Sequence, residues 1–226
     1  MSVVVDERYY QAVPDGSLAK RVLAIARDRI YHDFIATMQP KPTDKLLDIG
    51  VSDVVSEDAN VVERKYPYPD RITACGLGDA VEFKARHPDI RYLKIPPNQR
   101  LPFEDGAFEV ATSNAVLEHV GSRANQSLFV GELCRVARRV FISVPHRYFP
   151  VEHHTALPFV HYSESLFAAA CRVTGKSEWS DPANLILMTR KRLFELAAPV
   201  GRRAGVGYTG LRLGPFSSNL YLAFGA

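Results

Sequence analysis

The 226-residue chain has only three cysteines, Cys75, Cys134 and Cys171, far apart and with no CxxC pair. That spacing argues against a disulfide framework and a thiolate zinc site, and makes a reducing, cytoplasmic setting the expected one. Long hydrophobic runs are missing too: no stretch approaches the roughly 20 apolar residues that a membrane-spanning helix needs. The opening MSVVVDERYYQAVPDG lacks a basic region followed by an apolar one, so no secretory leader is expected. Charge of one sign is scarce, since 28 basic residues against 25 acidic ones give +3. So small a bias does not call for nucleic acid. The basic clusters at 135–139 and 190–192 read as solvated helix ends, and no basic run alternates with aromatics as a single-strand groove requires. Internal repeats, low-complexity tracts and dividing linkers are absent. With 46% apolar and 23% charged residues the chain has an ordinary globular composition. Its length suits one domain, 1–226, able to bury a substantial core.

What is present is an alternation. Residues 17–38 repeat apolar side chains at helical spacing (Val22, Ile25, Ile30, Phe34), with Ser17 as N-cap and Pro40 and Pro42 as the stop. This predicts an N-terminal helical cap over 1–40. Five strand-like runs follow, at 45–50, 71–77, 90–95, 107–116 and 140–144. Helices are expected at 57–66, 80–86 and 123–139, the last with Leu128, Phe129, Leu133 and Val136 on one face. Residues 184–197 begin strand-like and turn helical, and 218–226 read as a final strand. Such alternation predicts an α/β fold with a mostly parallel sheet. In sheets of this kind a ligand sits beyond the carboxyl ends of the strands, here just after residues 50, 77, 95, 114 and 145.

The first of those positions ends KLLDIGVSDVV (45–55). Asp48 can accept hydrogen bonds from an amine or hydroxyl, and Gly50 lets backbone approach a ligand. No GxGxxG follows, which argues against a nicotinamide-dependent oxidoreductase. The fourth strand lies within RLPFEDGAFEVATSNAVLEHVG (100–121). Taken in order, LLDIG, LPFEDGAFE and LEH resemble the class I S-adenosylmethionine-dependent methyltransferases, in particular the methyltransferase type 11 group. The run SVPHRYFPVEHHTALPFVHY (143–162), with Tyr66-Pro67 and ITACG, is similar to a bacterial subgroup whose first loop is not glycine-rich. The resemblance spans about residues 44–162.

That resemblance implies a Rossmann-like methyltransferase fold, a mostly parallel central sheet with helices on both faces and an antiparallel C-terminal strand. It implies S-adenosylmethionine as cofactor and S-adenosylhomocysteine as product. It places Asp48, Gly50 and Val51 at the methionine end, and Asn114 and Ala115 lining the cofactor or the acceptor; Glu63 is either near the ammonium group or a solvated helix glutamate. Two departures stand out. The position where the family carries an acid for the ribose is Gly76, leaving Asp79 as the substitute or as an N-cap for the next helix. The adenine-binding acid before LPF is replaced by Pro97-Asn98-Gln99, with Asn98 the substitute.

Residues 145–183 are expected to form an acceptor-site lid. Its His146, Glu152, His153, His154 and His161 admit three uses: a metal site, a general base, or hydrogen bonds that hold the loop. The metal reading is set aside, because the adjacent His153 and His154 point apart. The subgroup motif carries histidine at 154 and 161, which makes these the candidate bases for an oxygen acceptor. Glu118 and His119 are expected to support the loop behind the fourth strand. Tyr148, Phe149, Phe159, Tyr162 and Trp179 suggest a partly apolar pocket for a small molecule, lipid precursor or glycan. The expected activity is methyl transfer to such an acceptor at oxygen. The rival is a catalytically silent methyltransferase-like binding or regulatory module.

Overall fold

The computed structural model describes residues 18–56 and 59–226. The expected Ser17 cap therefore lies outside the described residues. Helix α1 (Leu18–Met38) runs to the first strand, β1 (Leu46–Ile49). Then come α2 (Val61–Lys65), β2 (Ile72–Gly76), α3 (Val81–Arg86), β3 (Arg91–Lys94) and β4 (Phe108–Asn114). The second half holds α4 (Arg123–Val136), β5 (Ala137–Pro145), α5 (Glu164–Val173), α6 (Arg190–Ala197), β6 (Ala204–Leu213) and β7 (Phe216–Phe224). One seven-stranded sheet has the order β3-β2-β1-β4-β5-β7-β6. Strands β1 to β5 pair in parallel, and β7 enters antiparallel between β5 and β6. The strand order reverses at β1/β4, so the mouth beside those two strands is where a ligand is expected.

Strand β1 is apolar without alternation because both its faces are covered. Leu47 and Ile49 join one core with Ala111, Val140, Ile142 and the inner faces of α4 and α6. Leu46 points the other way, to Phe34 and Met38 of α1, Phe83 of α3 and Phe141. Phe34 packs edge-on against Phe141, with ring centroids 5.7 Å apart. The buried stripe of α1 is Ala26, Ile30, Phe34 and Met38, whereas Val22 and Ile25 of the expected stripe are exposed.

The larger departures from expectation each have a local reason. Helix α4 stops at Val136 rather than 139, because Ala137 and Arg139 are already paired with Phe108 and Val110 of β4. Residues 184–188 are not a strand; only His146 and Met188 form a bridge, and α6 starts after Thr189, whose hydroxyl accepts the N–H of Arg192. Strand β6 was not predicted. Its sequence AGVGYTGLRL has three glycines, which weaken strand propensity, and it sits at the sheet edge with few buried side chains. No helix among the described residues is long and apolar enough to cross a membrane.

Candidate functional site

The mouth of β1 and β4 is built around backbone crowding. Gly50 has φ +103°, and a Cβ placed on it would come within 2.1 Å of Cγ2 of Val116. The N–H groups of Gly50 and Val51 both donate to the carbonyl of Cys75, at 2.8 and 3.2 Å. Those amides tie β1 to β2, so Gly50 and Val51 contribute close approach rather than donors. The loop that follows is held by side chains where glycine would otherwise bend it. Asn60 accepts the N–H of Ser52 and donates to its carbonyl, at 3.0 and 2.7 Å, and the Ser52 hydroxyl accepts the N–H of Val54.

Asp53 then reaches across to α3, accepting the N–H groups of Val81 (3.1 Å) and Phe83 (2.8 Å). This corrects the cap assigned to Asp79. The exposed Asp79 instead pairs with Lys94 at 2.7 Å, and Ala80 stands at the N-cap position with no side-chain bond. Gly76 is closed to any side chain, since a Cβ there would lie 2.8 Å from the Tyr92 hydroxyl and 2.9 Å from the Val51 carbonyl. Asn98 is exposed in a turn with φ +54°.

Asp48 and Glu63 are both buried, and their carboxyl groups lie against each other behind the first loop. Neither oxygen of Glu63 has a conventional donor. Burial, then the charge of Glu63, drives the Asp48 carboxyl well above the usual range, and burial raises Glu63 as well. Two adjacent buried carboxyls with no positive partner thus resist ionising together. Glu63 is thus no solvated helix residue; α2 turns it inward. At the end of β4, Asn114 Oδ1 accepts the hydroxyl of Ser143, and the N–H of Ala115, itself at φ +55°, donates to the Ser143 carbonyl at 2.9 Å.

A second polar cluster lies just beyond. The short 3₁₀ turn Leu117–His119 follows β4, and the loop after β5 brings His154 to meet it. His154 Nδ1 lies 2.8 Å from Glu152 Oε1, and its ring stacks on Trp179 with centroids 4.9 Å apart. Trp179 is thus behind His154 rather than in an exposed acceptor pocket. Burial works against ionisation of Glu152, but the hydrogen bond and charge of His154, with the Thr155 hydroxyl, hold it at about 2. Burial pushes Glu118 up to about 7, and burial followed by the charge of His154 takes His119 down to about 4.

His161 is almost fully buried, with Nε2 2.8 Å from the Phe149 carbonyl, and burial lowers its pKa. It ties the loop together and lines the same small cavity as His154. Tyr148, Phe159 and Tyr162 form an edge-to-face aromatic group on the outer surface. The structure therefore gathers Asp48, Gly50, Val51, Glu63, Asn114 and Ala115 at one mouth and leaves Asp79 and Asn98 exposed. It also adds Asp53, which no local spacing signals, and draws Glu118 and His119, expected as supports behind β4, into one cluster with His154.

The type 11 methyltransferase-domain family matches residues 74–140, from β2 into β5. Solved structures of similar fold include magnesium protoporphyrin IX methyltransferase of Synechocystis PCC 6803 with bound S-adenosylhomocysteine. It is 10% identical, over 96% of this chain and 89% of that one, with a TM-score of 0.59. The 1,6-didemethyltoxoflavin-N1-methyltransferase of Burkholderia thailandensis is 14% identical over 89% and 78%, with a TM-score of 0.58. A possible histamine N-methyltransferase of Thermotoga maritima is 12% identical over 91% and 93%, with a TM-score of 0.56. No curated protein matches the chain.

Proposed function

We propose that the chain is a class I methyltransferase whose methyl donor is S-adenosylmethionine, and that it methylates a small-molecule, lipid-precursor or glycan acceptor at oxygen. The observation that carries this reading is the Asp48–Glu63 pair at the carboxyl end of β1. Two buried carboxyls with no conventional donor on Glu63 form a receptor for a cation, and the methionine end of the donor carries an ammonium group. In this reading Asp48 and Glu63 hold that ammonium, and Gly50 and Val51 let the chain pass close to the methionine tail. Asn114 and Ala115 line the space between cofactor and acceptor. Gly76 leaves no room for a ribose-binding acid, so Asp79 and Asn98 would serve only by turning inward from their exposed positions.

Bound S-adenosylmethionine supplies an electrophilic methyl group. The protein's part is to align an acceptor oxygen in line with it and to remove that oxygen's proton. Of the two candidate bases, His154 is oriented for chemistry by Glu152, whereas His161 is bound to a backbone carbonyl within the loop. We assign proton removal to the Glu118–His119–His154 cluster and a positioning role to His161. The described residues act as one domain, with α1 as cap and 145–183 as the acceptor lid; the rest of the expected 1–40 cap, residues 1–17, lies outside the described residues.

The closed position at Gly76 also favours the rival reading, a silent module that holds no cofactor. Calorimetric titration with S-adenosylhomocysteine separates the two. Stoichiometric binding that is lost in Glu63→Gln supports the enzyme; no heat at high-micromolar ligand would sink it.

A further inference from the structure

Side chains from the loops after β4 and β5 converge on one buried point. His119 Nε2 and His154 Nε2 stand 3.1 Å apart, and Glu118 Oε1 lies 3.9 Å from the first of them. One donor atom from each of the three residues falls within 4.8 Å of the other two. Both imidazoles have their remaining nitrogen engaged: His119 Nδ1 with the Asn184 carbonyl at 2.7 Å, His154 Nδ1 with Glu152 Oε1 at 2.8 Å. A carbonyl and an ionised carboxylate can only accept, so both Nδ1 atoms carry the proton. The neutral rings then aim two Nε2 lone pairs at the same place. A positive centre must join them, either a proton on one ring or a cation between them.

Glu118 decides between these. It is 1% exposed, and neither of its carboxylate oxygens has a hydrogen-bond partner. A proton shared by the histidines faces that carboxylate from 3.9 Å but gives its oxygens no hydrogen bond, and a buried carboxylate left without one is disfavoured. A cation answers all three groups at once. We propose that Glu118, His119 and His154 form a binding site for a single divalent transition-metal ion, with zinc best suited to two imidazoles and one carboxylate.

The dimensions agree. Two nitrogens bound about 2.0–2.1 Å from a tetrahedral zinc stand roughly 3.3 Å apart, close to the 3.1 Å between the Nε2 atoms. A small torsional change in Glu118 closes its longer gap. The outer partners have the character of metal-site supports, since ligating histidines typically donate their second N–H to a carboxylate or backbone carbonyl. Glu152 is itself fixed by the backbone N–H groups of His154 and Thr155 and by the Thr155 hydroxyl, at 3.0, 2.6 and 2.7 Å. Beside Glu118 and His154 lies a cavity of about 10 Å³, room for one water-sized ligand. Three protein ligands leave a fourth position open. Resting on the proposed methyl transfer, the metal would take the place of a free histidine base: the open position binds the acceptor hydroxyl, its O–H bond breaks, the proton leaves to solvent, and the oxygen takes the methyl as the S–C bond breaks.

Metal binding is tested without donor or acceptor, so its failure would leave the S-adenosylhomocysteine titration untouched. The full chain is stripped with chelator and titrated calorimetrically with Zn²⁺, Mn²⁺ and, anaerobically, Fe²⁺. Bound metal is counted by mass spectrometry, and Co²⁺ serves as the optical probe. The expected result is one metal per chain, with visible cobalt bands of a four- or five-coordinate site. Glu118→Gln, His119→Ala and His154→Ala should each weaken binding by about 100-fold or more, and Glu152→Gln by about 10–100-fold. His32→Ala, on the exposed side of α1, should leave binding unchanged. Glu118→Gln preserves shape, so it remains informative if an alanine variant fails to fold. Absence of stoichiometric binding at high-micromolar zinc, or binding that survives in the His119→Ala/His154→Ala double variant, would overturn the proposal.

Discussion

The carboxylate of Asp53 accepts the backbone N–H of Phe83 at 2.8 Å, joining the loop after β1 to the first turn of the helix after β2. The bond does two jobs with one side chain. It satisfies amides that a helix start would otherwise leave open, and it fixes the path of a loop that has no glycine beyond Gly50. Asp53→Ala should lower stability by about 1 kcal/mol, in the range of a lost cap. Asp53→Asn should retain part of that stability. Urea denaturation measures the loss, and a matching drop in S-adenosylhomocysteine affinity is expected because the same loop lines the mouth.

The Asp48–Glu63 pair makes stability depend on pH. Its folded-state pKa is raised, so the folded chain keeps a proton that the unfolded chain has released. The stability this proton represents is fully present below the unfolded carboxyl value and is lost as pH rises toward the folded one. The ligand-free chain should therefore lose about 1.4 kcal/mol per pH unit from about pH 4 upward, until the raised folded pKa is passed. Asp48→Asn should flatten that slope in melts across pH. Binding of an ammonium-bearing ligand should expel the proton, seen as proton release when titrations in buffers of different ionisation enthalpy are compared. No proton release would sink the cation-receptor reading.

Gly50 faces Val116 with no space for a methyl group. Gly50→Ala meets both a 2.1 Å contact and a positive φ that alanine resists. A loss of roughly 2 kcal/mol or more is expected, from strain of about 1–3 kcal/mol plus the contact. Adding Val116→Ala should return the contact's share only. Thermal melts of the single and double variants separate the two contributions.

Arg135 organises the LPFEDG turn from α4. It donates to the carbonyls of Leu101 (3.0 Å) and Phe103 (2.8 Å), to Asp105 and to Glu132, while Glu132 accepts the N–H of Leu101. Arg135→Ala should cost about 2 kcal/mol, as for hydrogen bonds to charged groups. Lysine at 135 should recover little, because it cannot reproduce the planar fork. Hydrogen exchange over residues 101–107 should rise in both variants.

The parallel half of the sheet was legible because strands such as Leu46–Ile49 are buried on both faces and so are apolar throughout. Strand β6 was not, since glycines at 205, 207 and 210 give no such pattern and pairing with β7 alone defines it. In the site, Asp48, Gly50, Asn114 and Ala115 could be placed because they end strands, and ligand mouths lie at strand ends. Asp53 could not, because its partner amides lie 28 and 30 residues onward.

By itself the sequence determined the alternation of buried strands and amphipathic helices, and with it the residues that stand at the carboxyl ends of the strands. Apolar periodicity is a local property, and burial enforces it residue by residue. Only the tertiary structure decided which polar groups meet. Glu63 turns inward to Asp48, and His154 is carried 35 residues along the chain to face His119. Those meetings depend on long-range closure of loops by single hydrogen bonds, from Glu152 and the Asn184 carbonyl among others, and no local spacing encodes them.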